Sequence, residues 1–74
     1  MRGGPVTGGF PQRLRELRER KGIKQSVLAE LCGLSKNMVA RYERGEKAPT
    51  SESLGRLAAF FGVTMDELWG QGEK

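Results

Sequence analysis

Seventy-four residues, with thirteen Lys or Arg, nine Asp or Glu, one cysteine and no histidine, leave room for one domain near the smallest size that folds without disulfides or metal. A lone cysteine closes no internal disulfide, the lack of histidine leaves a metal site incomplete, and no apolar run approaches the ~20 residues of a membrane span. The net charge of +4 is uneven: residues 1–50 hold eleven basic against five acidic groups, and residues 51–74 hold two against four. A basic half of this kind is the electrostatic footprint of a polyanion binder, although solvated basic faces produce the same balance on proteins that bind nothing of the sort.

In chain order, residues 1–9 contain four glycines and a proline among few apolar residues, which predicts a flexible tail. Without an apolar segment that tail is no secretory signal, and the expected location is the cytoplasm. Arg2 could reach a minor groove from such an arm, but a disordered leader is the simpler reading. A first helix follows, with Pro11 in its first turn, Phe10, Leu14 and Leu17 on its apolar stripe, and Gly22 ending it. Its charged face interleaves Arg13, Arg15, Arg20 and Lys21 with Glu16 and Glu19, which reads as i,i+4 pairing on a wet surface. Ile23 is placed to plug the next corner.

The stretch from Gln25 to Gly45, QSVLAELCGLSKNMVARYERG, reads as two short helices joined by a tight turn. Leu28, Ala29 and Cys32 form an inward stripe, with Cys32 as a small core residue. Val27 and Leu31 fall beside that stripe, partly exposed, where they are placed to widen the core contact. Gly33 supplies the left-handed residue that ends the helix, and small Ala29 lets the two helices approach closely. Ser35 is expected to cap a second helix with Val39 and Tyr42 inward and Gly45 closing it. Lys24, before the first of the pair, cannot accept the orphan N–H bonds of that helix, which implies a ragged start or N–H groups free for a phosphate. Beyond the loop Glu46–Pro49, Thr50 is the N-cap of a helix with Leu54, Leu57, Ala58 and Phe61 inward, interrupted by Gly55 and stopped by Gly62. Thr64-Met65-Asp66-Glu67 reads as a capping box that opens a fifth, short helix ending near Trp69-Gly70. The domain is thus expected over residues 10–70, with 71–74 frayed.

The pattern Gln25, Leu28-Ala29, Gly33-Leu34-Ser35, Val39, Tyr42-Glu43, Gly45 and Pro49 resembles the Cro/phage-repressor, or Xre-like, class of helix-turn-helix regulators. The resemblance covers roughly residues 10–69. It implies an all-α, five-helix, lambda-repressor-like DNA-binding domain with the helix-turn-helix as helices 2 and 3. It also implies a bacterial or phage-type, nucleoid-associated transcriptional regulator, a repressor, that binds double-stranded DNA.

On this reading Lys36 and Asn37 lie in the first turn of the recognition helix and Arg41 one turn further on, where they can meet base edges in the major groove. Lysine and arginine donate to guanine O6 and N7, and asparagine pairs with adenine N6 and N7. Met38 is a secondary candidate, for a thymine methyl or for the core. Phosphate contacts are expected from Gln25, which the resemblance also gives a bracing role, and from Ser35, Arg44 and Lys47. Arg18 and Glu43 match a family pair that ties the first helix to the third by a salt bridge. Without the motif, Lys36, Asn37 and Arg41 would read as a solvated polar face.

Because one helix reads few base pairs, a weak homodimer strengthened on an inverted-repeat operator is expected, with Met65 and Trp69 as its candidate contact. The alternative for Trp69 is to cover the first helix near Phe10. No cofactor and no catalytic role are expected, since the paired carboxylates Glu16/Glu19 and Asp66/Glu67 sit on amphipathic or capping segments. The runner-up function is a protein-binding module, such as an antitoxin-like partner, using Met65, Trp69 and Phe60.

Overall fold

The computed structural model describes residues 9–70. The tail expected over residues 1–8, Arg2 included, and the fraying expected at 71–74 lie outside the described residues. Within them run α1 (Phe10–Lys21), α2 (Gln25–Leu31), α3 (Met38–Glu43), α4 (Ser51–Phe61) and α5 (Met65–Trp69), the five-helix all-α architecture expected from the sequence. None of these helices is long and apolar enough to cross a membrane.

The local signals explain most of the boundaries. Pro11 sits in the first turn of α1, where its missing N–H is not needed. The Thr50 hydroxyl accepts the Ser53 N–H at 3.0 Å to open α4. At α5 the Thr64 hydroxyl accepts from the Glu67 N–H at 3.0 Å, while the Glu67 carboxylate takes the Thr64 N–H at 2.8 Å, which satisfies two orphan donors reciprocally. Lys24 adopts the extended backbone of an N-cap but makes no side-chain cap bond, so the start of α2 is uncapped.

The second helix of the pair departs from expectation at its start. No side-chain hydrogen bond caps α3, and Ser35 contributes its carbonyl instead, accepting the Met38 N–H at 3.0 Å. That i,i+3 bond closes a turn over Ser35–Met38, and the helical ladder begins only with Arg41 N–H to Asn37 O at 3.2 Å. Lys36 and Asn37 therefore stand in the turn that leads into α3 rather than in its first turn. Six residues are too few to hold a helix by themselves. Tertiary packing holds this one, since Val39 and Tyr42 are fully buried or nearly so, each contributing on the order of 1.5–3 kcal/mol.

One core gathers the inward residues of all five helices: Phe10 and Leu14 from α1, Leu28 and Ala29 from α2, Val39 and Tyr42 from α3, Leu57 and Ala58 from α4, and Leu68 from α5. Cys32 belongs to it, and burial pushes its thiol pKa up, with the nearby Arg56 offsetting only part of the shift. It stays a protonated, inert core residue. Leu17, Ile23, Leu34, Leu54, Phe61 and Val63 pack partly buried around this centre, whereas Val27 and Leu31 are exposed and do not widen it.

The two ends of the domain meet. Gly9 N–H donates to Trp69 O at 3.1 Å, and the Trp69 ring stacks on Phe10 with centroids 6.0 Å apart. Phe10 in turn presents an edge-to-face contact to Tyr42 at 5.4 Å. Between the two placements that the sequence left open, Trp69 takes the one over the first helix.

Candidate nucleic-acid interface

A reading helix is useful only if its mounting is rigid, and here the mounting is polar as well as apolar. Glu43, near the end of α3, accepts Arg18 Nε at 2.6 Å and Arg18 Nη2 at 3.1 Å, while Gln25 Nε2 donates to the same carboxylate at 2.9 Å. The remaining Arg18 nitrogen, Nη1, donates to Ile23 O at 2.9 Å. One carboxylate thus joins α1, α2 and α3, in the two-pronged geometry that makes Arg–carboxylate pairs strong. The side chains are 13% and 5% exposed, so water screens the pair little. The hydrogen bond to Glu43 raises the Arg18 pKa above its ordinary value, against the smaller opposing effect of desolvation.

Gln25 holds the brace that the resemblance implied. Its bond to Glu43 uses one of the two hydrogens on Nε2. Neither this bond nor its partner was assigned from the sequence.

The turn between α2 and α3 is fixed from two sides. Gly33 sits at φ 71°, a left-handed conformation that costs a side-chain-bearing residue. It lets Leu34 N–H reach Ala29 O at 2.8 Å and Gly33 N–H reach Glu30 O at 3.2 Å, the paired bonds of a Schellman C-cap. From α4, Arg56 Nη1 donates to Cys32 O at 3.4 Å and to Gly33 O at 3.3 Å, while Nη2 is held by Glu52 at 2.7 Å. Sequence reasoning passed over Arg56. Its only local signal is the i,i+4 spacing from Glu52, which points to a surface pair and not to a clamp on a distant turn.

On this frame, Lys36, Asn37 and Arg41 are all exposed. Asn37, at the N-cap of α3, and Arg41, one turn on, are joined by the first bond of the ladder, while Val39 and Tyr42 are turned into the core. Met38 is partly buried against the core. Ser35, Arg44 and Lys47 are exposed as well. Among the described residues Lys36 and Lys47 have no ion-pair partner, whereas Arg41 and Arg44 both meet Glu46, at 3.8 Å and 2.7 Å. The bond to Glu46 raises the Arg44 pKa, and the same bond lowers that of Glu46. At neutral pH the group is two guanidinium ions around one carboxylate.

The other surface candidates separate. Met65 is 40% exposed, with its sulfur within ordinary contact distance of the space a side chain at Gly55 would enter. Trp69 is engaged with Phe10. Phe60 is partly covered by an edge-to-face contact with Phe61 and by the Lys21 ammonium 5.4 Å from its ring centre.

A family model described as helix-turn-helix matches residues 14–68. The chain is 42% identical over 59 residues to the HTH-type transcriptional regulator AnsR of Bacillus subtilis, a match covering 80% of this chain and 51% of that protein. It is 34% identical over 64 residues to the cryptic phage CTXphi transcriptional repressor RstR of Vibrio cholerae, covering 86% and 58% respectively. Among solved structures, the restriction-modification controller protein C.AhdI of Aeromonas hydrophila superposes with a TM-score of 0.74 at 41% identity, covering 80% of this chain and 89% of that one. The chain spans little more than half the length of the two curated regulators.

Proposed function

Because the chain belongs to the helix-turn-helix family, we propose that it binds double-stranded DNA sequence-specifically as a transcriptional repressor, with α3 in the major groove. The observation that carries this reading is the mounting of α3. Arg41 stands exposed on a helix held from below by Val39 and Tyr42 and from the side by the Arg18–Glu43–Gln25 network, with Lys36 and Asn37 exposed in the turn that leads into it. Regulators and a phage repressor among the relatives support it. Lys36, Asn37 and Arg41 read base edges, and Gln25, Ser35, Arg44 and Lys47 hold phosphates on either side. The domain of residues 10–70 acts in the cytoplasm, at the nucleoid, and catalyses nothing.

Log K should then fall linearly with log salt, with a slope of about 0.9 per phosphate neutralised. Of the proposed phosphate contacts only Arg44 and Lys47 carry charge, so two phosphates neutralised per protomer would give a slope of roughly 1.8 for each protomer bound. A flat salt dependence on duplex DNA would sink this reading.

One recognition helix selects too few base pairs to find a single site in a genome, so the protein binds as a two-fold dimer on an inverted repeat. The recognition helices must then lie roughly 34 Å apart, one DNA turn, with half-sites about ten base pairs apart. Of the two candidate side chains on α5, Met65 is exposed and free for the contact, and Trp69 contributes only what its stacking on Phe10 leaves free. So small a patch gives a weak dimer in solution and a stronger one on DNA. Sedimentation with an inverted-repeat duplex should show two protomers bound, and Met65→Lys should reduce cooperativity without changing the fold. A single protomer at saturation would refute the dimer.

A further inference from the structure

We infer that Glu46 is a specificity-determining residue: its carboxylate competes with DNA phosphate for Arg44 and Arg41, suppressing non-specific binding more than operator binding. The inference rests on the DNA-binding reading above and assigns a role to an acidic residue that reading leaves unused.

The placement of Glu46 follows from the backbone. Gly45 ends α3 at φ 73°, with Gly45 N–H bonded to Tyr42 O at 3.0 Å and Glu46 N–H to Arg41 O at 2.9 Å. These are the two bonds of a Schellman cap, a motif that brings the side chain after the glycine against the one at the start of the last turn, commonly as an apolar pair. Here the two positions hold Glu46 and Arg41. The carboxylate folds back along α3, taking Arg44 Nε at 2.7 Å and Arg44 Nη2 at 3.3 Å, and lies 3.8 Å from Arg41 Nε. Each contact is solvent-exposed and weak in isolation. Their effect on DNA arises because all of them sit on the face that meets it.

A phosphate approaching Arg44 must displace a carboxylate that already holds two of its nitrogens. The exchange of one anion for another yields less than binding to an open guanidinium, and in a non-specific register, where Arg41 too has only phosphate to hold, the loss falls on both guanidinium ions. At the operator the balance changes. Arg41 faces Glu46 through Nε, which leaves Nη1 and Nη2 for the bidentate bond to guanine O6 and N7. At the operator Glu46 therefore weakens only the Arg44 contact, whereas off the operator it weakens both, and the ratio of specific to non-specific affinity rises.

The test compares Glu46→Gln with the unmodified protein on a duplex recovered by binding-site selection and on a scrambled duplex of the same composition, across a salt series. Glu19→Gln serves as a control. It removes an equal charge from another exposed ion pair, with Arg15 on α1, that lies outside the proposed interface. Glu46→Gln should tighten the scrambled duplex by roughly tenfold, steepen its salt slope by about 0.9 for each phosphate gained, and tighten the selected duplex less. In an Arg44→Ala background the gain on the selected duplex should vanish and that on the scrambled duplex should shrink. A gain equal on both duplexes, one matched by Glu19→Gln, or one undiminished in Arg44→Ala would overturn the inference while leaving DNA binding intact. Failure of the unmodified protein to bind either duplex would overturn the DNA reading itself, and this inference with it.

Discussion

Glu43→Ala should destabilise the domain by about 3 kcal/mol, the low end of what removing one partner of a buried ion pair costs. The substitution strands the Arg18 guanidinium, which is 13% exposed, with only its bond to Ile23 O, and it removes the acceptor of the Gln25 amide. For a domain of this size, stability in total is on the order of 5 kcal/mol, and each lost kcal/mol lowers the melting temperature by about 4–8 °C. A fall of roughly 12–24 °C is therefore expected in a thermal melt. The penalty comes from the unpaired charge more than from any net gain of the pair. The double replacement Arg18→Met/Glu43→Leu should accordingly recover most of the loss. A melting temperature for Glu43→Ala within about 2 °C of the unmodified protein, a change of well under 1 kcal/mol, would show that the network does not hold the helices together. The double variant also separates stability from function, because it restores folding without restoring the brace from Gln25 to α3.

What the sequence disclosed divides along the range of the forces involved. The caps at Thr50 and at Thr64–Glu67, the uncapped Lys24 and the glycine stops were legible because each depends on residues within a turn of one another. The inward stripe was legible for the same reason, since periodicity alone separates Val39 and Tyr42 from Arg41. The start of α3 was misplaced because Ser35 was expected to act through its hydroxyl and acts through its carbonyl, a choice that the residue type does not reveal. Arg56 clamps a turn more than twenty residues away, and no local pattern marks such a contact. Glu46 is a different case. The Schellman bonds that place it are local, but a carboxylate beside a proposed DNA face runs against the charge argument, and so it attracted no role. The pair Arg18–Glu43 spans 25 residues and was anticipated only through the family resemblance. Trp69 stacks on Phe10, a partner that the sequence alone does not select, because an aromatic residue at a helix end suits an interface and a core margin equally well.

Arg41→Ala should cost about 1–3 kcal/mol for each half-site at the base pair it reads. On a symmetric operator bound by two protomers the cost is incurred twice, so the loss should reach about 2–6 kcal/mol, on the order of 30-fold to more than 10⁴-fold in affinity. The loss should be confined to the selected sequence. Because Arg41 shares Glu46 with Arg44, its removal also leaves Glu46 wholly to Arg44, and non-specific affinity should fall only slightly. Lys47→Ala makes the contrast. Lys47 is exposed in the loop after α3 and, among the described residues, has no ion-pair partner, so it acts as a point charge toward the backbone. Its loss should weaken all duplexes alike and lower the salt slope by about 0.9 per protomer. Titrations of both variants against the selected duplex and against duplexes with single base-pair changes decide between these outcomes. If Arg41 reads a base, its variant should become indifferent to substitution at one position in each half-site while still discriminating at the others. Uniform weakening on every duplex by both variants would place Arg41 among the phosphate contacts and leave base reading to Lys36 and Asn37 alone.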